Sequence, residues 1–87
     1  MKHLSIEITN PTGLHARPAK TFVTLVTDYN SSIKVACNGK TANAKSLISL
    51  LTLGAEQGAV LEIDIDGDDE DQAVVAIREC IESGLGE

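Results

Sequence analysis

Apolar and polar residues alternate with a period of two over three stretches of the chain. Leu4, Ile6 and Ile8 are interleaved with Ser5, Glu7 and Thr9; Ile33, Val35 and Cys37 flank Lys34 and Ala36; Leu61, Ile63 and Ile65 flank Glu62 and Asp64 and precede Asp66. Such alternation predicts half-buried strands, because successive side chains point to opposite faces. Asn38-Gly39 follows the second stretch and is a strong type I′ hairpin signal, so Lys40 to Asn43 is expected to pair back as a short fourth strand. Between these stretches the period changes. Ala19, Phe22, Val23 and Val26 recur at helical spacing and predict a helix ending near Thr27, before the polar turn Asp28-Tyr29-Asn30-Ser31. Ser46 is a good N-cap for a short helix over residues 47–53 closed by Gly54. A last helix, capped by Asp68 or Asp69 and stopped by Gly84, carries the stripe Ala73, Val74, Ile77, Cys80 and Ile81.

The resulting order is β-α-β-β-α-β-α. Three helices are too few for a doubly wound parallel sheet, and the tight hairpin demands antiparallel pairing. The expected architecture is therefore α+β: an open-faced two-layer sandwich, with a four-stranded antiparallel sheet covered on one face by three helices. No internal repeat, low-complexity tract or linker interrupts it, so residues 1–87 are expected to form a single domain. An apolar content of 43% supports a globular fold, and with Phe22 and Tyr29 as the only rings the core must be aliphatic. The scarcity of aromatic side chains and a net charge of −6 argue against nucleic acid as a partner.

That net charge is unevenly spread. Lys2, Arg17, Lys20, Lys34, Lys40 and Lys45 lie in the first 45 residues with only Glu7 and Asp28 as acids, whereas Arg78 is the sole base beyond them. A locally basic half suits an acidic protein surface. The acidic run from Glu62 to Asp71 lacks the ligand spacing of a calcium loop, and outward strand positions followed by an acidic first helical turn account for it. Cys37 and Cys80, isolated and without CxxC spacing, read as reduced core thiols, and His3 as an outward strand residue with no partner near it in sequence. No apolar run approaches the roughly 20 residues that span a bilayer, and the chain opens on a strand pattern rather than a leader, so the expected compartment is the cytoplasm.

The stretch Asn10-Pro11-Thr12-Gly13-Leu14-His15-Ala16-Arg17-Pro18-Ala19 carries the chemistry. Pro18 has no backbone donor and is tolerated only in a first helical turn, so the helix must start near His15 or Ala16. His15 then lies beside unpaired backbone N–H groups at the positive end of the helix dipole, where an anion is favoured, and Arg17 adds a forked cation suited to phosphate oxygens. A plain helix cap is the competing role for His15, but caps are normally Ser, Thr, Asp or Asn. A nucleophilic imidazole in an anion-binding setting is what a phosphohistidine site requires.

The run Gly13-Leu14-His15-Ala16-Arg17-Pro18-Ala19 resembles the active-site signature of the HPr family, the histidine phosphocarriers of the bacterial phosphoenolpyruvate-dependent sugar phosphotransferase system. Ala44-Lys45-Ser46-Leu47 and Thr52-Leu53-Gly54 resemble the family's second signature, around its regulatory serine, at the expected spacing. The resemblance implies that Enzyme I phosphorylates His15 at Nδ1 and that the phosphoryl group passes to an Enzyme IIA. Arg17 would steady the phosphoryl oxygens, and the backbone N–H groups of Ala16 and Arg17 would neutralise their charge. The resemblance calls for neither a metal nor a cofactor and implies that the chain would be a relay intermediate rather than an independent enzyme.

Ser46 is either a plain N-cap or, as in many relatives, also the target of a dedicated serine kinase and phosphorylase. The helix after it carries more apolar residues than one face buries: with Leu50 and Leu53 inward, Leu47, Ile48 and Leu51 lie partly outside, as partner surfaces do. The resemblance makes these residues, with Ala16, Arg17, Lys20 and Thr24, the docking surface for Enzyme I and Enzyme IIA. Ser49 departs from the lysine or glycine common in better-known relatives. The Gly-Leu-Gly-Glu ending resembles the exit from HPr-like domains of multiphosphoryl transfer proteins. Other readings are a regulatory module that binds a transcription regulator through phosphorylated Ser46, and a carrier of the nitrogen-related branch. A monomer is the expected state.

Overall fold

A computed structural model describes residues 1–86. Among them the elements are β1 (Lys2–Glu7), α1 (Ala16–Val26), β2 (Ser32–Cys37), β3 (Lys40–Asn43), α2 (Leu47–Leu51), β4 (Val60–Asp66) and α3 (Glu70–Glu82). The strands form one antiparallel sheet in the order β1-β4-β2-β3. Its register explains the alternation in the sequence. Leu4 stands opposite Ile63, Ile63 opposite Val35, and Val35 opposite Ala42, so one apolar row crosses all four strands. All four side chains are buried, as are Phe22 and Val26 of α1, Leu50 of α2, and Ala73, Ile77 and Ile81 of α3. Burying each large aliphatic side chain contributes about 1.5–3 kcal/mol. The helices cover this face, and the expected open-faced α+β sandwich is the observed one.

The hairpin between β2 and β3 turns through Asn38 and Gly39 with φ of 55° and 78°, the two left-handed residues that a type I′ turn needs. The Asn38 amide also donates to the carbonyl of Leu53 at 3.3 Å, tying the hairpin tip to the end of α2. Cys37 and Cys80 are free thiols, both pushed up in pKa by burial. Among the described residues no helix is long and apolar enough to cross a membrane.

Three local expectations change. The short helix ends at Leu51 rather than Leu53, because the N–H groups of Leu53 and Gly54 bond three residues back, to Leu50 and Leu51, in a tighter turn. Leu53 remains buried. Asp69 holds the N-cap position of α3 but does not cap it. Its carboxylate instead accepts from the Ser31 hydroxyl and from the N–H groups of Asn30 (2.7 Å) and Ser31 (3.0 Å), joining the α1–β2 loop to the start of α3. The Ser31 hydroxyl, then the Asn30 N–H, hold the Asp69 carboxyl below its usual range.

His3, the third, has no partner near it in sequence but gains two through the fold. The register sets it beside Asp64 and Glu62 on the outer face, with Nδ1 at 2.6 Å from Asp64 Oδ1 and Nε2 at 2.8 Å from Glu62 Oε1. Both partners lie some 60 residues away in the chain, beyond the reach of local pattern reading. The bond to Asp64, then that to Glu62, raises the His3 pKa. A folded-state pKa above the unfolded value of about 6.5 stabilises the fold at lower pH, and that contribution is lost as pH rises through the folded value. His3→Gln is therefore expected to lower the melting temperature most below about pH 6.5, with the gap to the wild type closing at higher pH. Parallel melting curves in a pH series check this, and a gap independent of pH would contradict it.

Candidate functional site

The loop between β1 and α1 is held by its own polar groups and by the backbone of a distant turn. Asn10 is buried, and its amide donates to the carbonyl of Gly13 at 2.8 Å and to the Thr12 hydroxyl at 3.3 Å. The Gly13 N–H returns to the Asn10 carbonyl at 3.1 Å, and the Leu14 N–H donates to Ala55 at 2.9 Å. Gly13 has φ of 65°, and a Cβ there would lie 2.6 Å from Glu56 Cα and 2.7 Å from the Ala55 carbonyl oxygen. Only glycine satisfies both the backbone conformation and this approach.

Helix α1 begins one residue past His15, which stands at the N-cap in an extended conformation. The first intrahelical bond runs from the Ala19 N–H to the His15 carbonyl at 2.9 Å. Of the three preceding helical residues Pro18 has no N–H, so the orphan donors of this terminus are Ala16 and Arg17. The His15 side chain makes no capping bond, which removes the structural role that competed with function. His15 is exposed and lines two adjoining grooves. One, of about 300 Å³, is shared with Ala16, Leu51, Gly54 and Glu56; the other, of about 390 Å³, is shared with Pro11, Thr12, Glu56 and Gln57.

Leu51 thus shares a groove with the histidine. On α2 Ile48 is 75% exposed and Leu51 39%, while Leu47 is half-buried and Leu50 fully buried, so the excess of apolar residues does emerge at the surface next to the site. Lys20 and Thr24 are exposed on α1. Arg17 is exposed as well, but it lines neither groove that His15 lines. It borders a cavity of about 670 Å³ with Thr9, Asn10, Glu82 and Gly84, which shares Pro11 and Thr12 with the second groove of His15. The Ser46 hydroxyl accepts from the Ser49 N–H at 3.3 Å, as a cap does, and Ser46 is half-buried at the end of α2 remote from Leu51. Reading the sequence missed Asn10 as the organiser of the loop and Glu56 as a neighbour of His15. The Asx-type bonding of Asn10 was a usable signal; nothing in the sequence links Glu56 to a histidine 41 positions away. Among the described residues no three His, Cys, Asp or Glu side chains gather to hold a metal ion.

The model of the PTS-HPr family, described as the PTS HPr component phosphorylation site, matches residues 3–83. The chain belongs to the HPr phosphocarrier family. Phosphocarrier protein HPr of Haemophilus influenzae is 49% identical over 69 residues, which cover 79% of this chain and 81% of that protein. The crystal structure of HPr from Thermoanaerobacter tengcongensis superposes with a TM-score of 0.95 at 46% identity, covering 100% of this chain and 98% of the other. That of HPr from Bacillus anthracis gives 0.87 at 29% identity, covering 92% and 95%. Family membership supports a phosphocarrier role in the phosphotransferase system.

Two glycines separate conformational strain from crowding. Gly13 and Gly54 both have positive φ, but a Cβ on Gly54 would meet nothing within 4 Å. Gly54→Ala is expected to cost about 1 kcal/mol for the backbone conformation alone. Gly13→Ala adds the collision with Glu56 and is expected to cost about 2–4 kcal/mol. Urea denaturation of both variants measures the difference, and equal costs would contradict the close approach.

Proposed function

We propose that the chain, as a single HPr-like domain over residues 1–87, accepts a phosphoryl group on His15 from phospho-Enzyme I and passes it to an Enzyme IIA of a sugar uptake system. The observation that carries this reading is an exposed His15 side chain with no hydrogen-bond partner among the described residues, placed where Ala16 and Arg17 offer the orphan donors of α1. The Nδ1 lone pair attacks phosphorus in line, the bond from phosphorus to the Enzyme I histidine breaks, and its electron pair returns to that ring. The second transfer repeats the step with His15 as leaving group. Orphan N–H groups and the helix dipole favour the phosphoryl oxygens by electrostatics fixed in advance, and no metal is needed between two positioned groups.

Arg17 makes no ion pair among the described residues. Its long side chain reaches the phosphoryl oxygens by rotation about its own bonds, out of the cavity it borders. Leu47, Ile48 and Leu51 form the apolar centre of the docking surface, with Ala16, Lys20 and Thr24 beside it. A phosphoryl group on Ser46 would leave the cap in place, since an anion is favoured at a helix N-terminus, while setting about two negative charges beside the surface that an acidic partner must meet. Ser46 is therefore the proposed regulatory position, and a cytoplasmic monomer is the form that suits a shuttle.

Labelled phosphoenolpyruvate with a catalytic amount of Enzyme I is expected to give acid-labile, base-stable label on the wild type and none on His15→Ala. Label retained by that variant would contradict the assignment. Ile48→Asp and Leu51→Asp are each expected to weaken binding to Enzyme I about tenfold or more, read by calorimetry, because they place a charge at the desolvated centre of the surface. Unchanged affinity would remove these residues from it.

A further inference from the structure

Among the described residues Glu56 is the one acidic residue that lines the grooves at His15, and it lines both of them. Its backbone position is fixed. The Leu14 N–H bonds to the neighbouring Ala55 carbonyl, Gly13 is in close approach to Glu56 Cα, and the Glu56 carbonyl accepts from the Ala59 N–H at 2.9 Å. The backbone of Glu56 is thus fastened to the very loop that presents the histidine. Its carboxylate is exposed and has neither an ion pair nor a hydrogen bond among the described residues. The side chain holds nothing together, so its charge is what it contributes to the site.

That charge opposes the rest of the site. The terminus of α1 favours an anion, whereas Glu56 puts a carboxylate beside the position where a phosphoryl group of about two negative charges would be carried. We propose that Glu56 tunes the phosphoryl-transfer potential of His15, raising it by charge repulsion so that the group is held less firmly and handed on more readily. The inference rests on the reading of His15 as the phosphoryl acceptor. In the exchange that measures it, phosphorus leaves the nitrogen of one carrier and bonds to the lone pair of another through the Enzyme I histidine. No net gain or loss of protons or electrons occurs, and the equilibrium constant reports the difference in potential alone.

The experiment mixes equal amounts of wild type and Glu56→Gln with catalytic Enzyme I and a substoichiometric amount of phosphoenolpyruvate. The unphosphorylated and phosphorylated forms of both proteins are resolved on a native gel by charge, with isotope-labelled wild type and intact-mass analysis as a second readout. At low salt the phosphoryl group is expected to favour Glu56→Gln over wild type by about two- to fivefold, the range for exposed charge pairs. The preference should fall toward unity as salt screens the site. Glu56→Lys should extend the shift in the same direction, and Glu56→Asp should leave it near unity. A ratio of unity for both Gln and Lys, or a shift insensitive to salt, would overturn the role of Glu56 while leaving His15 as acceptor. If the wild type itself takes no phosphoryl group under these conditions, the reading of His15 fails and this inference falls with it.

Discussion

The backbone contact between Gly13-Leu14 and Ala55-Glu56 determines where α1 can begin, and the chemistry of the site follows from that point. The Leu14 N–H is spent on Ala55, and Gly13 is pressed against Glu56 Cα, so the chain must enter the helix immediately afterwards. Pro18 then removes one donor from the first turn and leaves those of Ala16 and Arg17. Buried Asn10 closes the loop from within. Because these ties are made by backbone groups and by one buried amide, the imidazole itself is left out of them. A histidine whose acceptor nitrogen was bonded into its own scaffold would have no lone pair to offer.

The same contact brings together elements of opposite character. Strand β1 leads into the loop and the turn it leans on leads into β4, while Leu51 at the end of α2 lines a groove with the histidine. Anion-favouring donors, an exposed apolar surface and an opposing carboxylate therefore meet within one small region. A carrier needs that balance, since a site that only stabilised the phosphoryl group would keep it. The outer face of the sheet, with His3 between Glu62 and Asp64, lies outside the grooves of His15 and bears on stability.

Much of this was legible in the chain because the signals were local. Alternation gave β1, β2 and β4 their buried faces, the Asn38-Gly39 pair gave the hairpin, and Pro18 with the stripe from Ala19 to Val26 located the start of α1 to within a residue. The surplus of leucines after Ser46 exceeded what one helix face can bury, and that alone implied an exposed apolar surface. What stayed hidden depends on residues far apart in sequence. Asp69 looked like a cap and instead binds Ser31, because a carboxylate takes the best donors in space rather than the nearest in the chain. His3 and Glu56 acquired their neighbours only through strand register and a loop contact. The cavity beside Arg17, which meets a groove of His15 only at Pro11 and Thr12, was equally beyond a one-dimensional pattern.

The central claim is that the imidazole of His15 receives a phosphoryl group where the amides of Ala16 and Arg17 can meet its oxygens. Heteronuclear NMR of the isotope-labelled protein before and after phosphorylation by Enzyme I tests it directly. The account predicts phosphorus–nitrogen coupling to Nδ1 of His15, with the largest downfield amide shifts at Ala16 and Arg17. Coupling to a different nitrogen or residue, or unshifted Ala16 and Arg17 amides on a fully phosphorylated sample, would contradict it.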